Sequence, residues 1–282
     1  MLGKEKIKEL KILAIKIRME TVKALGTLGF GHIGGAASIA DLLAVLYGEV
    51  MNIDPKNPRW EKRDWLISSK GHAGPAIYAA LALKGYFPTE QLLTINTPGT
   101  HLPSHCDRNL TPGVDMTTGS LGQGASTAVG VALGNRLNKI DNYTYLILGD
   151  GEIQEGQVWE AVSYAAQQKL DNLVAFVDWN KQQLDGYIKD INDVGDIKAK
   201  FQAFGWDAQL IDGSDVEKIY NAIQIAKERK GMPSAIILDT IKGKGISFAE
   251  GKLKNHHMQI SKEQMEEAIE QLQKELDKVV GS

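Results

Sequence analysis

The apolar positions of the first two dozen residues recur at helical spacing. Ile7, Leu10, Leu13, Ala14, Ile17 and Val22 fall roughly on one side, with Lys and Glu between them, so a helix is expected over 4–27. A glycine-rich break from Gly29 to Gly35 follows. Ser38, with Asp41 three residues later, has the form of a capping box and predicts a second helix. Trp65-Leu66-Ile67-Ser68 reads as a short buried strand, passing through Ser69-Lys70-Gly71-His72 into a helix that ends near Lys84. Residues 96–118, rich in Thr, Pro and His, read as loop.

From Gly119 the alternation becomes regular. A small-residue helix (119–137) leads to a strand (143–148), a helix (155–169) and a strand (173–177). A helix (193–204), strand (206–211), helix (215–230) and strand (235–238) follow. Such alternation implies right-handed crossovers and a mainly parallel sheet. The expected class is α/β, a three-layer α/β/α arrangement around that sheet. A loop of about 20 residues carries Lys242 and His256, and a charged amphipathic helix over 262–279 closes the chain. With no linker, repeat or low-complexity tract, residues 1–282 are expected to form one domain.

Composition narrows the classes of function. Apolar residues make up 43% of the 282, enough for a sizeable core. A formal charge of −3 gives no electrostatic case for nucleic acid or an anionic membrane. No apolar run approaches the roughly 18 residues of a spanning helix, and the N-terminus lacks the apolar block of a signal peptide. A single cysteine, Cys106, rules out an internal disulfide framework and fits a reducing compartment. A cytoplasmic location is expected.

Chemistry enters at Gly149-Asp150-Gly151, where an apolar strand ends. Ligands of parallel sheets bind beyond such ends. Alone the tripeptide is most often a turn. Thirty residues on, at the end of the next strand, stands Trp179-Asn180, and one crossover between them returns the chain beside the strand it left. Asp150 and Asn180 then project from neighbouring strand ends. A carboxylate with a side-chain carbonyl oxygen suits a hard cation, Mg²⁺ with Ca²⁺ or Mn²⁺ as alternatives, that keeps positions for phosphate oxygens. The helix after Gly151 adds an N-terminus for an anion.

The stretch GDGEIQEGQVWEAVSYAAQQKLDNLVAFVDWNKQQLDG resembles transketolases, and within it GDG followed by Asn matches their thiamine diphosphate motif. GFGHIGG, SSKGHAGP, LPSHCDRNLTPGVDMTTGSLGQG and KGKGISFAEGKLKNHH occur in the family's order over about 250 residues. The resemblance implies thiamine diphosphate as cofactor, Asp150 and Asn180 as side-chain metal ligands and Gln182 as a backbone one, with Gly151 on the diphosphate. His72 resembles the histidine that contacts the diphosphate. Lys70 beside it and Lys242 are grouped with the cofactor contacts.

His32 resembles the first substrate histidine, His105 one that hydrogen-bonds donor hydroxyls, and His256 the last, shared between substrate and cofactor. His257 competes with it, and His101 has no counterpart. Ketol transfer makes and collapses alkoxides, for which groups titrating near neutrality are useful. Gly119-Ser120-Leu121 resembles the segment lining the cofactor's rings, and Glu155 and Glu160 resemble acidic interface residues. Read as isolated residues, these are a helix N-terminus, a cap and an exposed charge.

The departures from the family cluster near the substrate histidines: Ile33 and Cys106 replace prolines, Trp179 precedes Asn180, and Asn255-His256-His257-Met258 stands for Trp-His-Gly-Lys. The resemblance implies the N-terminal subunit of a split transketolase. That enzyme moves a two-carbon ketol unit from a ketose (phosphate) to an aldose (phosphate), as in the pentose phosphate pathway. A C-terminal subunit carrying the catalytic Glu would complete an α2β2 heterotetramer. Related readings are a deoxyxylulose-phosphate synthase-like or 2-oxo-acid dehydrogenase alpha-like subunit, or a non-catalytic regulatory subunit of the same fold. The QEGQVWEA run and the four-histidine set favour transketolase.

Overall fold

Strands that are apolar at nearly every position must be covered on both faces, and the computed structural model, which describes residues 2–281, shows how. The chain begins with α1 (Lys4–Leu28), β1 (Phe30–Gly31) and the short helices α2 (Gly34–Ala37) and α3 (Ala40–Val45). Then come β2 (Trp65–Ser68), α4 (Gly74–Lys84), α5 (Gln123–Leu137), β3 (Thr144–Gly149), α6 (Gly156–Gln167) and β4 (Leu173–Trp179). The last part holds α7 (Ile188–Ile191), α8 (Ile197–Ala203), β5 (Asp207–Asp212), α9 (Val216–Glu228), β6 (Ser234–Asp239), β7 (Met258–Gln259) and α10 (Lys262–Gly281).

Five strands form one parallel sheet in the order β2-β3-β4-β6-β5. Side chains alternate across it with the period of two that a pleat imposes. Tyr145, Ile147, Val174, Phe176, Ile236 and Leu238 pack into the core under α1, α3, α4, α9 and α10. Leu146, Leu148, Ala175, Val177, Ala235 and Ile237 pack into a second core under α5, α6 and α8. The three-layer α/β/α arrangement is thus present, with every pairing in the sheet parallel. Among the described residues no helix is long and apolar enough to cross a membrane.

Helix α1 ends where Gly29 enters the left-handed region (φ 89°) and returns its N–H to the Leu25 carbonyl. The expected capping box does not form. Ser38 lies after α2, its hydroxyl donating to Asp178 at 2.6 Å, while the Asp41 carboxylate is drawn into a buried ion pair with Arg18 of α1. Both residues serve distant partners, and tertiary contact overrides the local signal. The helix expected from 119 starts at Gln123, after Gly122 in the left-handed region (φ 83°). The one expected from 193 starts at Ile197, with Asp196 accepting the Ala199 N–H. The clasp of β1 on β7, an antiparallel ladder pairing Phe30 with Gln259 and Gly31 with Met258, is too short for any periodicity to announce. It lays the loop carrying Lys242 and His256 over the glycine-rich segment.

Candidate functional site

Adjacent strands β3 and β4 end in register, Gly149 opposite Asp178, so Asp150 and Asn180 emerge side by side. Asp150 is 2% exposed and accepts the N–H groups of Gly151 (2.8 Å) and Lys181 (2.5 Å). Burial, and then the like charge of Asp178, push its pKa up to about 7. Asn180 accepts the Gln182 N–H on Oδ1 (3.1 Å) and donates through Nδ2 to Asp178 (3.0 Å). A carboxylate can only accept, so Asp178 fixes which end of the amide is oxygen.

Asp178 organises this end of the sheet. Its fully buried carboxylate takes hydrogen bonds from Ser38 (2.6 Å), Thr240 (2.5 Å) and the Lys70 ammonium (2.5 Å). Burial alone would raise its pKa, but Lys70 and the two hydroxyls outweigh it and hold the group below the usual range. Sequence reasoning passed it by; the signal was a lone carboxylate in the apolar run LVAFVDW.

A cavity of about 270 Å³ opens here. It brings together the predicted Asp150, Gly151, Asn180 and Gln182 with Lys70 and Lys242. His72, His256, Leu121 and Glu155 line it as well. The Lys242 Nζ lies 3.3 Å from the Gln182 carbonyl, 3.2 Å from the Gln183 carbonyl and 3.2 Å from His256 Nδ1. Burial, and then repulsion from Lys70, lower its pKa to about 8. Two ammonium groups and one histidine wall thus face a strand-end carboxylate, which suits a metal-bridged diphosphate.

The donor chemistry fits a hard cation held incompletely by protein. The oxygens are one carboxylate, one amide and one backbone carbonyl, and no group of three or more His, Cys, Asp or Glu side chains is placed to hold a metal ion among the described residues. Asp150 is a buried carboxylate without a cation of its own, because Lys70 is bound to Asp178. Close approach is open at Gly35, where a Cβ would stand 3.1 Å from His72 Nε2 and 3.4 Å from Lys70 Nζ.

The histidines converge beside this cavity. The ring of His32 lies 5.7 Å from His72, 5.4 Å from His105, 5.5 Å from His256 and 4.7 Å from His257, centroid to centroid. His72 and His256 are 4.8 Å apart. Burial, and then the imidazoles of His257 and His105, lower His32 to about 4; burial, and then Lys242, lower His256 to about 3. Burial lowers His72 and His105 too. Neutral imidazoles result, each with one N–H donor and one acceptor nitrogen, as a polyhydroxylated ligand requires. His101 is exposed and outside this cluster, its carbonyl taken by Thr111.

Gly119 backs onto His105, where a Cβ would stand 3.2 Å from its ring, and Ser120 and Leu121 are exposed in the turn before α5. Glu155 and Glu160 are exposed. Two supporting residues escaped sequence reasoning. The buried Glu152 accepts the Ser69 hydroxyl and the N–H groups of Gly122 (2.9 Å) and Gly149 (3.0 Å), tying β2, β3 and the turn before α5. Asn255 donates to the carbonyls of Lys242 (3.1 Å) and Ala249 (2.7 Å) and accepts the Gly34 N–H on its own carbonyl (2.9 Å). A larger cavity, about 700 Å³ and lined by Trp179, Tyr187, Asp193 and Leu210, contains none of the predicted residues.

A family profile described as "Transketolase, thiamine diphosphate binding domain" matches residues 9–278. The chain is 54% identical over 259 residues to the 6-deoxy-6-sulfo-D-fructose transketolase subunit of Clostridium sp. (strain MSTE9), covering 92% of this chain and 94% of that one. It is 35% identical to an apulose-4-phosphate transketolase subunit of Phocaeicola vulgatus, covering 97% of each. Human transketolase is 35% identical over 279 residues, with 95% of this chain matched to 42% of that protein. Among solved structures, transketolase from Campylobacter jejuni superimposes with a TM-score of 0.88 at 32% identity over 96% of this chain and 43% of that one. The chain spans less than half the length of these full-length transketolases.

Proposed function

The chain belongs to the transketolase family as its thiamine diphosphate-binding domain, and on that premise we propose that it is the N-terminal subunit of a two-chain, cytoplasmic transketolase. The reaction breaks the C2–C3 bond of a ketose, releases an aldose two carbons shorter and joins the two-carbon unit to the aldehyde carbon of an acceptor aldose. The observation that carries the reading is the pair Asp150 and Asn180 at adjacent strand ends, with Asp178 turning the amide oxygen away from itself.

Asp150, Asn180 and the Gln182 carbonyl would hold Mg²⁺, and Lys70, His72 and Lys242 would hold the diphosphate. Bound thiamine diphosphate supplies the carbon nucleophile and electron sink. His32, His105 and His256, kept neutral by burial, would donate to and accept from the substrate's hydroxyls and shuttle protons at the oxygens whose charge changes. Gly119, Ser120, Leu121 and Gly151 would border the cofactor, with Glu155 toward a neighbouring subunit.

Two relatives named as subunits match over nearly their whole lengths, which supports a separate C-terminal subunit carrying the catalytic glutamate in an α2β2 assembly. A relative named for 6-deoxy-6-sulfo-D-fructose at 54% identity favours a sulfonate-terminated ketose over ordinary pentose phosphates. The test is co-purification with the C-terminal subunit, then a transfer assay with Mg²⁺ and thiamine diphosphate, offering sulfo- and phospho-ketoses in parallel. Transfer from a ketose is expected. Decarboxylation of pyruvate without ketose cleavage would overturn the reading, and cofactor binding retained by Asp150→Ala would overturn the metal assignment.

A further inference from the structure

The adjacent residues His256 and His257 face different surroundings. His256 turns toward the cofactor side, its Nδ1 at 3.2 Å from Lys242 Nζ and its ring 4.8 Å from His72, both residues of the 270 Å³ cavity. His257 does not line that cavity. Its ring stands 4.7 Å from His32, nearly perpendicular at 75°, and 5.7 Å from Phe30. With Phe30, His32 and Ser104, the neighbour of His105, it borders a separate small crevice.

The backbone explains the difference. The ladder pairs Phe30 with Gln259 and Gly31 with Met258, so the next facing positions are His32 and His257. Facing side chains of an antiparallel pair share one face of the ladder and lie within contact of each other. The chain bends at His256 and His257, just before the ladder: His256 is half-buried against Lys242 and His72, while His257 is exposed beside His32.

We propose that His257 is a substrate-contacting, specificity-determining residue: its imidazole hydrogen-bonds a hydroxyl of the ketose donor on the side remote from the cofactor, with Phe30 as an apolar wall behind it. The proposal rests on the transketolase reading and extends it by adding a second histidine at the sugar. His256 lies where cofactor and substrate meet. His257 serves the sugar alone.

The test uses the complex with the C-terminal subunit, comparing wild type, His257→Ala, His257→Asn and His256→Ala for donor KM, kcat and thiamine diphosphate affinity. His257→Ala should raise donor KM about tenfold, the worth of one hydrogen bond, and leave cofactor affinity within about twofold. His257→Asn, which keeps a donor and an acceptor, should recover part of the loss and guards against a folding defect in the alanine variant. His256→Ala should weaken the cofactor. An unchanged donor KM in both His257 variants, or a loss of cofactor affinity matching that of His256→Ala, overturns the proposal while the wild-type complex stays active. A wild-type complex that transfers nothing from any ketose sinks the transketolase reading and this proposal together.

Discussion

The Lys70 ammonium lies 2.5 Å from the Asp178 carboxylate, with the two side chains 1% and 0% exposed. Removing one member of such a pair leaves an uncompensated buried charge, which costs about 3–5 kcal/mol. Asp178→Leu should destabilise the chain by at least that amount, more than any exposed ion pair could. The double variant Lys70→Met with Asp178→Leu should recover only the part due to the unpaired charge, because Ser38, Thr240 and Asn180 still lose their acceptor. Urea unfolding of the singles and the double decides it: additive losses would mean that the pair is not coupled. Metal-dependent cofactor binding should stay lost in the double, since Asn180 loses the carboxylate that orients its amide.

Glu152→Ala should act on stability and on the cofactor together. The change strands the N–H groups of Gly122 and Gly149 in the interior, and each buried unsatisfied group costs about 1–3 kcal/mol. Glu152→Gln keeps one acceptor oxygen and should restore part of the loss. Gly122 precedes α5 and follows the segment proposed to border the cofactor, so thiamine diphosphate affinity should fall in the same order. Denaturant midpoints equal to wild type for Glu152→Ala would show that neither N–H depends on this carboxylate.

His32 makes stability depend on pH in a defined direction. The groups around it are His72, His105, His256, His257 and Lys242, all neutral or positive. Its folded pKa is lowered to about 4 against an ordinary 6.5, so between those values the unfolded chain binds more protons. Stability must therefore fall as pH drops from about 6.5 to about 4. His32→Gln should show a shallower fall across this window and no difference from wild type in slope above it. Thermal midpoints at half-unit pH steps supply the difference curve; parallel curves would contradict the assignment.

The sequence made legible what repeats locally. The 3.6 periodicity located α1, α9 and α10, short apolar runs located all five strands of the sheet within a few residues, and one crossover length placed Asp150 beside Asn180. What it hid depends on contacts between distant segments. Ser38 and Asp41 carry a correct local helix signal and answer instead to Asp178 and Arg18, 140 and 23 residues away. Glu152 looks like any acidic residue at a helix start until Gly122 folds back over it. The strand order β4-β6-β5 follows from no pattern in the chain, since crossover length does not say on which side the next strand lands. His257 became distinguishable from His256 only through a ladder of two residues.

Cys106 should be inert in the native chain and become a reporter of opening. Its thiol is 3% exposed, and burial pushes its pKa up to about 12, against a smaller opposing contribution from its contact with Tyr78. Thiolate is the reactive form, so at pH 8 only about one thiol in ten thousand is competent, and that one is sealed from reagent. Alkylation by iodoacetamide should thus proceed only through opened states. Because Cys106 follows His105 directly, the dependence of its labelling rate on urea separates two kinds of opening. A rate that tracks the global unfolding constant means that the loop over 96–118 opens only with the sheet. A rate nearly independent of low urea means that it opens by itself, carrying His105 out of the histidine cluster. Stoichiometric labelling within seconds in native buffer would contradict the burial of the thiol and, with it, the close seat of His105 on Gly119.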